Sequence, residues 1–143
     1  MKEIINQLKD DHIRVNASLD KMEQLIDTPL ETSRDELVSE FQFFKDFACK
    51  IHHKRESEVL YNWMKKQNPE ADKEIIERIN EEHKSLESEV NNFIEKITKM
   101  AKEEENTILC DIEQFIRVYK QHIEKEEKFI FLIAQQLTEK KTT

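Results

Sequence analysis

Four of the five histidines in the chain, His12, His52, His83 and His122, are spread along its length, and two of them are followed four residues later by glutamate, as His52-x-x-x-Glu56 and His122-x-x-x-Glu126. On a helix, residues four apart share a face with their Cβ atoms about 5 to 6 Å apart, so each pair can aim a nitrogen and an oxygen at one point. Four imidazoles and two carboxylates form a mixed N/O donor set. Such a set suits iron or manganese better than a structural zinc site, which has four ligands and often uses Cys. If Glu56 and Glu126 each bridge two ions, each ion receives two histidines and two carboxylate oxygens. One solvent-derived oxo or hydroxo bridge then makes five ligands and leaves the sixth octahedral position open for a small diatomic molecule. The expected cofactor is therefore a pair of non-haem iron ions held by His12, His52, Glu56, His83, His122 and Glu126.

These side chains meet only if the elements carrying them pack together. With 143 residues, no Gly and two Pro, the chain reads as one domain spanning 1–143, built without glycine-dependent hairpins or phosphate loops. Its breaks fall at Thr28-Pro29 with Thr32-Ser33, at Asn68-Pro69, and at the polar stretch from Lys102 to Thr107. Ser33 and Glu36 have capping-box spacing, and Asn68 before Pro69 reads as a capping residue before a first helical position, so helix starts are expected after both prolines. The breaks leave four segments, each with an apolar seam at helical period. The first has Ile5, Leu8, His12, Val15, Leu19, Met22 and Ile26; the third has Ile76, Ile79, His83, Leu86, Val90, Phe93 and Ile97. The second runs Phe41, Phe44, Ala48, His52, Glu56, Val59 and Trp63, and the fourth Ile112, Phe115, Tyr119, His122, Glu126, Phe129 and Ile133. The expectation is an all-α, up-down-up-down four-helix bundle.

Counted from the turns, the histidines lie at depths that differ by roughly one helical turn, an offset Glu56 and Glu126 can span, so all six side chains can share one layer. The halves also resemble each other. His12 and His52 are 40 residues apart and His83 and His122 are 39 apart, and each half pairs a His-only helix with a His-x-x-x-Glu helix. HHKRESEVLY from His52 aligns with HIEKEEKFIF from His122, and Asp10-Asp11-His12 with Glu81-Glu82-His83. A pseudo-two-fold bundle with a two-metal site on its axis is the expected product.

Twenty-three basic residues against 31 acidic ones give a net charge of −8, with no basic block, which argues against nucleic acid as a partner. The longest apolar run, Phe129 to Ala134, is far short of the roughly 20 residues a membrane helix needs. Two cysteines, Cys49 and Cys110, without CxxC spacing, and an N-terminus without a continuous apolar stretch, suggest a soluble, reducing, cytoplasmic setting.

The constellation of Asp11-His12, His52-x-x-x-Glu56, Glu82-His83 and His122-x-x-x-Glu126-Glu127, covering nearly the whole chain, resembles the hemerythrin-like family of HHE cation-binding domains. The resemblance implies a four-helix bundle around a non-haem di-iron centre. It also implies one of the roles found in that family: binding oxygen, sensing iron or oxygen, or helping to repair damaged iron centres, the last requiring a protein partner for iron delivery. Oxygen-carrying hemerythrins have a second histidine four residues after the third-helix one, where this chain has Glu87. Their final carboxylate is an Asp five residues after the last histidine, where Glu127 stands here, with Glu126 at four. The internal repeat favours Glu126 as the ligand. The set is more similar to the iron-repair and iron-sensing branch than to reversible oxygen carriers.

Other residues have plainer roles to weigh. His53 is about 100° round the helix from His52, so solvent or a place beside a ligand is expected rather than ligation. Glu87 is divided between the surroundings of the metal and the surface. Tyr119 and Cys49, each three residues before a paired histidine, are expected in the core, with the Tyr119 hydroxyl able to donate to a bound small molecule. Phe41, Phe43, Phe44 and Phe47 are expected in the core. Two functions follow: a di-iron protein that binds or reacts with oxygen, nitric oxide or peroxide, or that handles iron; or an interaction module whose metal is structural. No enzymatic reaction is assigned.

Overall fold

The computed structural model describes residues 1–69 and 73–142, and among these there is no strand. Helix α1 is Lys2–Leu25. Helix α2 opens at Leu30–Phe43 and continues unbroken through Phe44–His52, His53–Arg55, Glu56–Tyr61 and Asn62–Gln67. Helix α3 is Lys73–Lys99. A 3₁₀ turn, Lys102–Glu104, leads into α4, which runs through Glu105–Lys125, Glu126–Ile130 and Phe131–Thr142. Helix α1 packs against α2 and α4, and α3 packs against the same two, which is the neighbour pattern of an up-down-up-down bundle.

The second helix begins earlier than the Ser33 capping signal suggests. Its first residue is Leu30, and the Ser33 hydroxyl sits inside the first turn, 3.4 Å from the Pro29 carbonyl it donates to. No local side chain caps this end. Instead the Leu30 N–H donates to Glu105 Oε1 at 2.7 Å, so the first turn of α4 satisfies an otherwise orphaned amide of α2. The start expected after Asn68-Pro69 falls partly on residues 70–72, outside the described residues; α3 is described from Lys73.

The seams of α1 and α3 are as the sequence suggests, buried from Ile5 to Met22 and from Ile76 to Ile97, with Ile26 half-buried. Those of α2 and α4 differ beyond their glutamates. Val59 and Phe129 are exposed, and Trp63 and Ile133 only half-buried, while Leu60, Met64, Ile130 and Ala134 are buried. The buried stripe of α2 is therefore Phe44, Ala48, His52, Glu56, Leu60 and Met64, in uniform steps of four. At 3.6 residues per turn, each step of four overshoots by about 40°, and five steps would carry the stripe about 200° around the rod. The wide turns of π-helix, Phe44–His52 and Glu56–Tyr61 in α2 and Glu126–Ile130 in α4, absorb that drift and keep the stripe facing inward.

The core is divided in two. One apolar cluster runs from Val15, Leu19 and Leu37 through Phe41, Phe44, Phe93 and Phe115 to Ile123. The other gathers Ile5, Leu8, Leu60, Met64, Ile76, Ile79, Ile130 and Phe131. Phe43 and Phe47, expected in the core, are only partly buried at its edge, where the Arg14 guanidinium lies 4.0 Å from the centroid of Phe47. The histidine and glutamate layer lies where these clusters meet along the helices.

Candidate metal centre

Each helix contributes to the polar layer: His12 from α1, His52 and Glu56 from α2, His83 from α3, and His122 and Glu126 from α4. All six are at most 3 % exposed. Glu56 Oε1 lies 3.2 Å from His52 Nε2 and 3.3 Å from His83 Nε2, and its Oε2 lies 3.9 Å from His12 Nε2. Glu126 mirrors this arrangement. Its Oε1 is 3.1 Å from His122 Nε2 and 3.4 Å from His12 Nε2, and its Oε2 is 3.5 Å from His83 Nε2. Each carboxylate thus reaches histidines from both halves of the chain.

The outer nitrogens are held from behind. His52 Nδ1 is 3.0 Å from Asp11 Oδ2, His122 Nδ1 is 2.8 Å from Glu82 Oε2, and His12 Nδ1 is 3.0 Å from Glu127 Oε1. A carboxylate only accepts, so each ring donates from Nδ1 and turns Nε2 inward. The two paired histidines repeat the device in full, because Arg55 donates to Asp11 at 3.0 Å and Lys125 to Glu82 at 2.9 Å. Arg55 and Lys125 occupy matching places in the two aligned segments. Glu127, one residue past Glu126, backs His12, while its counterpart Ser57 turns to Asn80 at 3.1 Å, and His83 Nδ1 has no hydrogen-bond partner among the described residues.

The halves differ around their rings. Phe131 stacks on His12 with centroids 5.2 Å apart, whereas Tyr61, in the matching position, stacks on His83 and donates its hydroxyl to Glu126 Oε2 at 2.8 Å. His53, expected in solvent or beside a ligand, is buried against His83, their rings stacked at 4.0 Å. Its Nδ1 is 3.1 Å from Glu87 Oε1, and its Nε2 is 2.9 Å from the Tyr119 hydroxyl. Cys49 is half-buried beside them, and burial pushes its thiol up to about 12.

Charge in the layer is unevenly held. Burial and the nearby Glu126 carboxylate push Glu56 well above the usual carboxylate range. Burial would raise Glu126 as well, but His122, Glu56 and His12 outweigh it and hold it well below that range. Burial pulls on His12 and His122 too, yet their carboxylate neighbours lift them to about 9 and about 10. Burial, then the neighbouring imidazoles, lower His53 and His83.

The inner atoms fit a cation better than they fit one another. His12 Nε2, His52 Nε2, His83 Nε2, His122 Nε2 and both oxygens of Glu56 are buried without a hydrogen-bond partner among the described residues. Buried polar atoms are rarely left so. One ligand atom from each of His12, His52, Glu56 and Glu126 lies within 4.8 Å of the others, and the same holds for His53, His83 and His122. The sequence pointed to the six inner residues. Tyr61, Arg55 and Lys125 gave no signal of their own, although the alignment of the two halves places Arg55 opposite Lys125.

Four antiparallel helices, each with an inward histidine and two of them with an inward glutamate as well, define a cation-binding bundle. The model of the hemerythrin HHE cation-binding domain matches residues 3–133, and the chain belongs to that family. No curated protein and no solved structure matches it.

Proposed function

We propose that this chain is a non-haem di-iron protein whose centre binds or reacts with a small diatomic molecule or peroxide, in sensing or detoxification, or supplies iron to damaged centres. The observation that carries the reading is that Glu56 and Glu126 each lie between histidines of both halves, the placement of bridging carboxylates. His12 and His52 would serve one ion, and His83 and His122 the other. Two ferrous ions would supply electrons and open positions to a diatomic ligand. The chain's own contribution is to fix the donors. Asp11, Glu82 and Glu127 hold the rings in register, Tyr61 orients Glu126, and the two apolar clusters exclude water above and below the layer. A surface cleft of about 370 Å³ between α2 and α3 has His53 and His83 in its lining. Protein expressed with ample iron should carry about two iron ions per chain by elemental analysis, the count the donor set supports. After anaerobic reduction its optical spectrum should change on adding nitric oxide or oxygen. An iron content near zero would sink the reading, and a reduced iron-loaded protein inert to both gases would sink its diatomic-binding form and leave iron supply.

A further inference from the structure

The two halves of the centre are not equally supplied with imidazoles, and the residue that unbalances them is His53. Three inner histidines, His12, His52 and His122, share one device: a carboxylate on Nδ1 that fixes the tautomer and leaves the Nε2 lone pair facing in. His53 carries the same device. Glu87 Oε1 accepts from its Nδ1 at 3.1 Å, so Nε2 is the nitrogen with a free lone pair, and the Tyr119 hydroxyl donates to it at 2.9 Å. The ring is 3 % exposed and stacked on His83, and one ring nitrogen from each of His53, His83 and His122 lies within 4.8 Å of the others. On the pseudo-symmetric side the residue matching His53 is Ile123, a core hydrophobe, so that position supplies no imidazole to His12 and His52. The carboxylate on its far nitrogen, from the part-exposed Glu87, is the partner that metal-bound histidines almost always have.

Resting on the two-ion reading above, we infer that His53 is the third imidazole of the His83 and His122 ion, backed by Glu87, so that this ion is bound by three histidines and its partner by two. Ligation takes Nε2 from the Tyr119 hydroxyl that otherwise donates to it. The two ions should consequently bind with unequal affinity.

Cobalt(II) loaded into the metal-free chain gives a discrete reading, because each ligated imidazole N–H has a far-shifted proton signal that exchanges with deuterium. His53→Gln keeps polar contacts with Glu87 and Tyr119 but has no imidazole. It should abolish one shifted signal and weaken one of the two cobalt-binding steps roughly tenfold or more while leaving the other in place. Tyr119→Phe, which removes only the hydroxyl, should retain every shifted signal. A His53→Gln protein that binds two cobalt ions with unchanged affinity and an unchanged set of shifted signals overturns the inference and leaves the two-ion reading standing. Wild-type protein that saturates below two cobalt ions overturns the two-ion reading itself, and this inference with it.

Discussion

An imidazole that must meet a cation needs its lone pair aimed, and here the aim comes from residues that never touch the centre. Asp11 and Glu82 each lock a histidine and are each clamped by a cation three residues after that histidine, Arg55 and Lys125. Neighbouring glutamates at 126 and 127 illustrate how position decides role. Glu126 is buried with both oxygens among imidazoles, while Glu127 is part-exposed and supports His12 from the outside. Glu126→Ala should therefore remove a bridging ligand and lower iron content below two per chain, the count inferred above. Glu127→Ala should keep that content while weakening affinity about 10- to 100-fold, as losses of outer partners typically do. Metal analysis and competition with a chelator separate the two effects; equal metal loss from Glu127→Ala would make Glu127 a ligand. The six inner residues were legible because histidine and glutamate at apolar seam positions are costly to bury unless a partner or a metal takes their polar atoms. His53 was not, since on a uniform helix it stands about 100° from His52. At the junction where α2 passes from π-helical to α-helical turns, both rings are buried.

The helices themselves carry a lesson in period. All four were readable from their seams, and α1 and α3, with their alternating steps of three and four, match those seams closely. The seams of α2 and α4 depart from the sequence pattern past Glu56 and Glu126 because a 3.6-residue period does not carry through turns that are wider. The step from His to Glu is itself four. Continuing in fours, to Leu60 and Met64 or to Ile130 and Ala134, gives the buried stripe, so the liganding motif and the π-helical turns are one structural choice. Ile130→Ala should then destabilise the protein by about 2 to 5 kcal/mol, the usual cost of emptying a core site. Phe129→Ser, at a site 57 % exposed, should change stability by less than about 0.5 kcal/mol. Denaturant midpoints of the two variants decide between the registers, since a uniform α-helical seam requires the opposite order.

Across the whole molecule, the polar layer sets the fold and its ligand in competition for the same nitrogens. Without metal, His12 and His122 hold their protons to about 9 and about 10, against a reference of 6.5, so the folded chain binds more protons there than the unfolded one. Their contribution to stability is complete below about pH 6.5 and is lost as pH climbs through 9 and 10. His53 and His83 are lowered and act the other way, favouring the fold above about pH 6.5 and costing stability as pH falls. The metal-free bundle should be most stable between these limits and should soften on either side. A bound cation replaces those protons with a charge that does not titrate away in base, and acid reverses the exchange by protonating the imidazoles. Metal present at 100 times its dissociation constant adds about 2.7 kcal/mol to the fold, enough to raise the melting temperature by roughly 10 °C in a chain of this size. The gap between loaded and metal-free melting temperatures should therefore widen from pH 7 to pH 10 and close toward pH 5, where the imidazoles release the cation. Paired thermal melts across that range, with and without chelator, measure it. A gap that stays constant with pH would mean that the stabilising cation does not exchange with protons on His12 and His122, and would place it elsewhere in the molecule.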